Sequence, residues 1–79
     1  MANENALTVS LEEFGLSKYE AQAYVTLISK GTISASEVSY YSEIPRTKVY
    51  PTLLKLEKKK LAMISKSKPI MCTAMAPED

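Results

Sequence analysis

The sequence predicts an α+β domain, mostly helical, with three to four helices followed by a two-stranded β-hairpin. Three observations point there. Serine–glutamate pairs three residues apart (Ser10/Glu13, Ser17/Glu20, Ser34/Glu37) open successive runs of helical apolar periodicity. Gly15 and Gly31 stand where such runs stop. Residues 61–75 then trade that periodicity for two short β-prone segments separated by "KSK". At 79 residues the chain makes one small domain, 1–79. Its 46% hydrophobic content is that of a folded protein.

Each pair fits the capping box, in which serine and glutamate reciprocally satisfy backbone N–H groups at a helix start. A glycine just past a helix accepts the left-handed conformation cheaply. These signals predict a short helix over about 6–14 and a second over about 17–30. In the second, Tyr19, Ala21, Ala23, Tyr24, Val25, Leu27 and Ile28 form a broad apolar stripe that reads as core. "TI" at 32–33 has room only for a strand stub. A third helix over about 34–42 presents Ala35, Val38 and Tyr41 at spacings of three, and "SEI" then breaks the pattern. Pro45 suits the first residue of a fourth helix, 45–60. There Val49, Leu53 and Leu56 share a buried face, while Arg46, Thr47, Tyr50, Pro51 and Leu54 lie on a neighbouring one. Lys58-Lys59-Lys60 closes it, with positive charge at the negative end of the dipole. "LAMIS" and "PIMCTAM" pair as the hairpin over about 61–75.

Composition narrows the function. With no histidine, the commonest general base and nitrogen metal ligand are missing, and no catalytic set can be assembled. The lone Cys72 excludes an internal disulfide and any multi-thiolate site, and reads as a small buried hydrophobe. No apolar run approaches the roughly 20 residues that span a bilayer, and "MANENALTVS" has neither the basic start nor the apolar stretch of a secretory signal. A cytoplasmic non-enzyme without cofactor or metal is expected. Charge is unevenly spread: residues 1–42 carry −3 and residues 43–79 carry +4. Such asymmetry suits one face meant for a polyanion; the alternative is a lysine-rich solvated surface.

The order helix, helix, helix–turn–helix, hairpin carries a mechanism for double-stranded DNA. The second helix of the pair enters the major groove while the first braces it across the backbone. A hairpin tip bearing two lysines reaches phosphates. The stretch "GLSKYEAQAYVTLISKGTISASEVSYYSEIPRTKVYPTLLKLEKKKLA" resembles the winged-helix DNA-binding domain of TrmB-like archaeal transcriptional regulators. The family's opening, "GLS-x-YEA-x-x-Y", is matched by "GLSKYEAQAY" (15–24), its "ASEI" helix start by "SASEV" (34–38), and its "VPRSKVY" recognition segment by "IPRTKVY" (44–50). The resemblance spans about 7–79 and implies a winged helix-turn-helix that binds DNA. It departs at Glu43, where the family usually has a turn glycine, and at Pro51, where it has an acidic or polar residue. Nothing in the chain corresponds to the sugar-binding effector domain of longer members, so no small-molecule effector is expected within it; a short member and a domain cut from a longer protein would look alike.

Within that frame Arg46 is the leading contact, to guanine O6/N7 or to a phosphate. Thr47 and Tyr50 can reach base edges or backbone, Lys48 and Lys55 phosphates, and Lys66 and Lys68 the phosphates beneath the wing. Ser34 and Ser36 can offer hydroxyl and N–H groups to a phosphate, Ser34 alternatively serving only as a cap. Pro51 either kinks the recognition helix or restarts it. One domain reads few base pairs, so a homodimer on half-sites about 34–36 Å apart, or a multiple, is expected. Leu7, Leu11 and Phe14 of the first helix are the candidate dimer surface, unless they fold onto their own core. The reading from another class is an interaction module or adaptor of the transcription machinery, with Tyr40, Tyr50 and Met71 as exposed anchors.

Overall fold

The computed structural model describes residues 15–75. The predicted first helix, with the Ser10/Glu13 pair and Leu7, Leu11 and Phe14, lies outside them. The described chain runs α1 (Lys18–Lys30), β1 (Ile33–Ser34), α2 (Ala35–Ser42), α3 (Arg46–Lys58), β2 (Ala62–Ile64) and β3 (Met71–Ala74).

Both expected capping boxes form. The Ser17 hydroxyl accepts from Glu20 N–H at 3.1 Å while the Glu20 carboxylate accepts from Ser17 N–H at 3.0 Å. Ser34 and Glu37 repeat the exchange at 3.1 and 2.9 Å. Gly15 and Gly31 both take positive φ, 94° and 79°, the second ending α1. The apolar stripe of α1 is buried from Ala21 to Leu27, but Tyr19 is 38% and Ile28 54% exposed, so the stripe is narrower than its composition suggests.

The strands form a three-stranded antiparallel sheet in the order β1-β3-β2 rather than an isolated hairpin. The stub at Ile33–Ser34 pairs with β3, Ile33 opposite Cys72 and Ser34 opposite Met71. Alternation along the strands turns Ile33, Ala62, Ile64 and Cys72 to the core and leaves Met63 exposed. Leu27 of α1, Val38 of α2 and Leu53 and Leu56 of α3 meet them there, each 1% exposed or less. Burial pushes the Cys72 thiol up to about 11, as befits a hydrophobe rather than a nucleophile.

Serines build the turn between α2 and α3. The Ser39 hydroxyl donates to the buried Ile44 carbonyl at 2.7 Å, Ser42 donates to the Val38 carbonyl, and Ile44 N–H donates to Ser42 Oγ at 3.4 Å. Glu43 takes the left-handed conformation (φ 63°, ψ 19°) at the end of α2, the backbone a glycine would adopt there without Cβ strain.

Helix α3 corrects two expectations and decides between two alternatives. Pro45 is its N-cap rather than its first residue, and supplies no side-chain cap. The helix ends at Lys58, two residues short of Lys60, which turns to φ 63°. And it runs unbroken through Pro51, so it does not restart there. An interior proline costs a helix about 3 kcal/mol and leaves the carbonyl four residues back, here that of Thr47, without its usual donor. Continuity survives because Val49, Leu53 and Leu56 are all buried on one side.

Candidate nucleic-acid interface

The outer side of α3 is cationic. Arg46, Thr47, Lys48, Pro51, Lys55 and Lys58 are exposed, and Tyr50 is half-buried, which limits its reach. A helix turns about 100° per residue. Thr47 and Pro51 therefore occupy the ridge most nearly opposite the buried stripe, Lys48 and Lys55 lie along one flank, and Arg46 and Tyr50 along the other. The structure thus brings five of the proposed contacts onto one helix, presented to solvent by the burial of its opposite side.

The wing joins this surface. Ser65 N–H donates to the Met71 carbonyl at 2.8 Å to close the hairpin, and Ser67 N–H donates to Ser65 Oγ at 3.2 Å to shape its tip. Lys66 and Lys68 are exposed there. Lys66 Nζ lies 3.8 Å from Glu57 Oε1 on α3. Glu57 sits on the same flank of α3 as Arg46 and eleven residues further on, roughly 16 Å along the axis at 1.5 Å per residue. The Lys66 side chain is 66% exposed, so this pair contributes little to stability; it marks the wing tip as lying beside the C-terminal half of α3.

The start of α2 is tied to the wing as well: Ala35 N–H donates to the Ile70 carbonyl at 3.0 Å. Ser34 is half-buried and its hydroxyl serves as the cap, with the Glu37 carboxylate beside it, so an anion at that end would meet a negative charge. Ser36 is exposed. Of the three proposed anchors, Tyr40 is 78% exposed, stacked edge-on with Tyr41 at 5.2 Å, whereas Tyr50 and Met71 are half-buried. Tyr41, spaced with Ala35 and Val38, is 46% exposed, with Lys30 Nζ 4.5 Å from its ring centre.

A tether missed in the sequence positions α3. Lys59, read there as a dipole-matching lysine, bonds Glu20 Oε1 at 2.7 Å and reaches the Gly15 carbonyl at 3.4 Å. Burial by itself raises the Glu20 carboxyl, but the hydrogen bonds from Lys59 and Ser17 N–H and the charges of Lys59 and Lys55 outweigh it, so its pKa falls below the ordinary 4.5. The only available signal was a glutamate inside an otherwise apolar stripe. Its partner, 39 residues away, could not be read from spacing. Among the described residues, no cluster of three or more His, Cys, Asp or Glu could hold a metal, and no helix is long and apolar enough to cross a membrane.

A family model described as sugar-specific transcriptional regulator TrmB matches residues 11–78. The chain belongs to the TrmB family. Family members most like it include TrmBL1 of Pyrococcus furiosus, an HTH-type sugar sensing transcriptional regulator, 36% identical over 75 residues. That match covers 95% of this chain and 22% of the relative. TrmBL2 of Thermococcus kodakarensis, a DNA-binding HTH-type transcriptional repressor, is 33% identical over 79 residues, covering 100% of this chain and 30% of its own. This TrmB-family chain thus spans between about a fifth and a third of their length. Among solved structures, TrmBL2, described as an archaeal chromatin protein with a novel mode of DNA binding, superimposes with a TM-score of 0.86 at 35% identity, over 94% of this chain and 29% of that one. YusO of Bacillus subtilis gives 0.73 at 18% identity, over 91% and 55% of the two chains, a likeness of fold alone. The fold is a winged helix-turn-helix, with α2 and α3 as the helical pair and β2–β3 as the wing.

Proposed function

We propose that this domain is the DNA-binding part of a transcriptional regulator, reading double-stranded DNA sequence-specifically with α3 in the major groove and resting the wing lysines on phosphates. The observation that carries the reading is the outer side of α3, where Thr47 is exposed opposite the buried stripe and Arg46, Lys48 and Lys55 are exposed on its flanks. A rigid helix with a cationic outer side suits a groove lined by phosphates. TrmBL2 of Thermococcus kodakarensis and the solved TrmBL2 structure, both described as binding DNA, support it.

In this reading Arg46, Lys48 and Lys55 meet phosphates on the two edges of the groove, Arg46 alternatively a guanine. Thr47 and Tyr50 approach base edges, and Lys66 and Lys68 hold the adjacent backbone. Ser36 contributes a hydroxyl near α2, and Ser34 acts chiefly as the cap. Two copies on half-sites about 34–36 Å apart, or a multiple, give the specificity one domain lacks. The sequence-based candidate for joining them remains Leu7, Leu11 and Phe14. A cytoplasmic location accords with this role, and no effector site is proposed within the chain.

A mobility-shift titration on random duplex DNA tests the reading. Binding is expected at low salt, with log affinity falling against log salt at about −0.9 per phosphate contacted. Arg46→Ala, Lys66→Ala and Lys68→Ala should each weaken it and, where the lost contact is a phosphate, flatten the slope by about one contact. Absence of a shift at every salt concentration overturns the proposal in favour of a protein-interaction module, for which Tyr40 is the exposed anchor.

A further inference from the structure

We infer that Pro51 is a specificity-determining residue: its ring, with the Thr47 methyl one turn earlier, forms an apolar contact for the 5-methyl group of a thymine in the major groove. The inference rests on the DNA-binding reading above and adds to it the base that the centre of α3 selects.

Pro51 is two residues from both Val49 and Leu53, hence about 160° around the helix from each of these buried side chains. It is exposed, and so is Thr47 at i−4. No packing on the inner side calls for a ring at this position, and proline is the least favourable residue a helix interior can hold. What the ring provides is a rigid apolar surface at the middle of an otherwise cationic side, between Lys48 and Lys55 on one flank and Arg46 and Tyr50 on the other. With Arg46, Lys48 and Lys55 on phosphates at the two edges of the groove, the residues between them, Thr47 and Pro51, face base edges. Among the groups bases present in the major groove, only the thymine methyl is apolar; guanine, adenine and cytosine present acceptors or amino groups there. A proline ring has no donor or acceptor to satisfy them, so it would strip their water and return nothing. Thymine is the base this surface tolerates best.

The test begins with selection of bound sites from a random duplex pool by the wild-type chain. In the preferred duplex each thymine is then replaced, one at a time, by deoxyuridine, which removes the methyl and keeps the pairing. At least one replacement should weaken wild-type binding roughly fourfold, the worth of one buried methyl-sized group. The same replacement should affect Pro51→Ser clearly less, the Thr47 methyl alone remaining, and selection with Pro51→Ser should weaken the preference for thymine at that position. Pro51→Ala, which keeps only Cβ, should show a reduced methyl effect. Both variants should bind the deoxyuridine duplex within about twofold of wild type, which confirms that they are folded.

If no deoxyuridine replacement matters to the wild type, or if all three proteins respond alike, the thymine contact is overturned while the DNA-binding reading stands. If the wild type retains no duplex at low salt, both fall together.

Discussion

Helices α1 and α2 each begin with a serine that accepts an N–H from three residues on and a glutamate that reaches back. Helix α3 is capped by Pro45, which has no side-chain acceptor, and carries a second proline in its interior. By local rules the first two are well specified and the third poorly so. Yet α3 is as long as α1, at 13 residues, and unbroken. Its support comes from elsewhere: from Val49, Leu53 and Leu56 on its inner side, from the Ser39 bond that closes the turn before it, and from the Lys59–Glu20 tether at its far end. The lesson is a division of labour. Helices α1 and α2 carry the signals for their starts in their own sequence, whereas α3, exposed along its outer side, is held from behind and from its C-terminal end.

The largest expected effect breaks that comparison directly. Leu53→Ala should cost about 3 kcal/mol in a urea titration, since a fully buried leucine is lost from the side that holds α3. A cost below about 1 kcal/mol would mean that α3 stands on its own propensity, and the contrast would dissolve.

Next comes Glu20→Ala, which removes the α1 capping box and the α3 tether together. A loss of about 2 kcal/mol is expected, less than a fully buried pair would give because the Lys59 side chain is 42% exposed. Its pH dependence has a definite sign. The folded Glu20 carboxyl titrates below 4.5, so its contribution is present above that value and drains away as pH falls through the lowered pKa. Stability of the wild type should therefore drop more steeply than that of Glu20→Ala between about pH 5 and pH 3. Parallel acid limbs would show that the tether is not ionic.

The smallest effect sharpens the turn. Glu43→Gly should stabilise by about 0.5–1 kcal/mol, because glycine takes the left-handed backbone without Cβ strain and loses part of that gain to a freer unfolded chain. Thermal unfolding reads the change. A destabilised variant would mean that the Glu43 side chain holds the turn, against a geometry in which Ser39 and Ser42 hold it.

Much of this molecule was legible before its coordinates. Ser17/Glu20 and Ser34/Glu37 marked the starts of α1 and α2 because a capping box is complete within four residues. Val49, Leu53 and Leu56 marked the inner side of α3 because burial follows the helical period. The motif matches at 15–24, 34–38 and 44–50 placed the chain in its family. Other features could not be read. The strand stub expected at 32–33 lies at Ile33–Ser34, but its pairing with β3, without which two residues make no strand, was not foreseen. Lys59 looked like any lysine at a helix end until Glu20 came within 2.7 Å. Lys66 was expected in the wing as a phosphate contact; that it stands 3.8 Å from Glu57 had no signal in the spacing.

The amino-acid order alone therefore determined where helices begin, which side of each is apolar, and which residues are cationic, since those properties depend on neighbours within one or two turns. Folding in three dimensions decided that α3 stays whole through a proline, that the wing rests against it, and that a glutamate in the core carries charge. Each of those outcomes depends on groups far apart in sequence whose interaction energies exist only once the chain has brought them into contact.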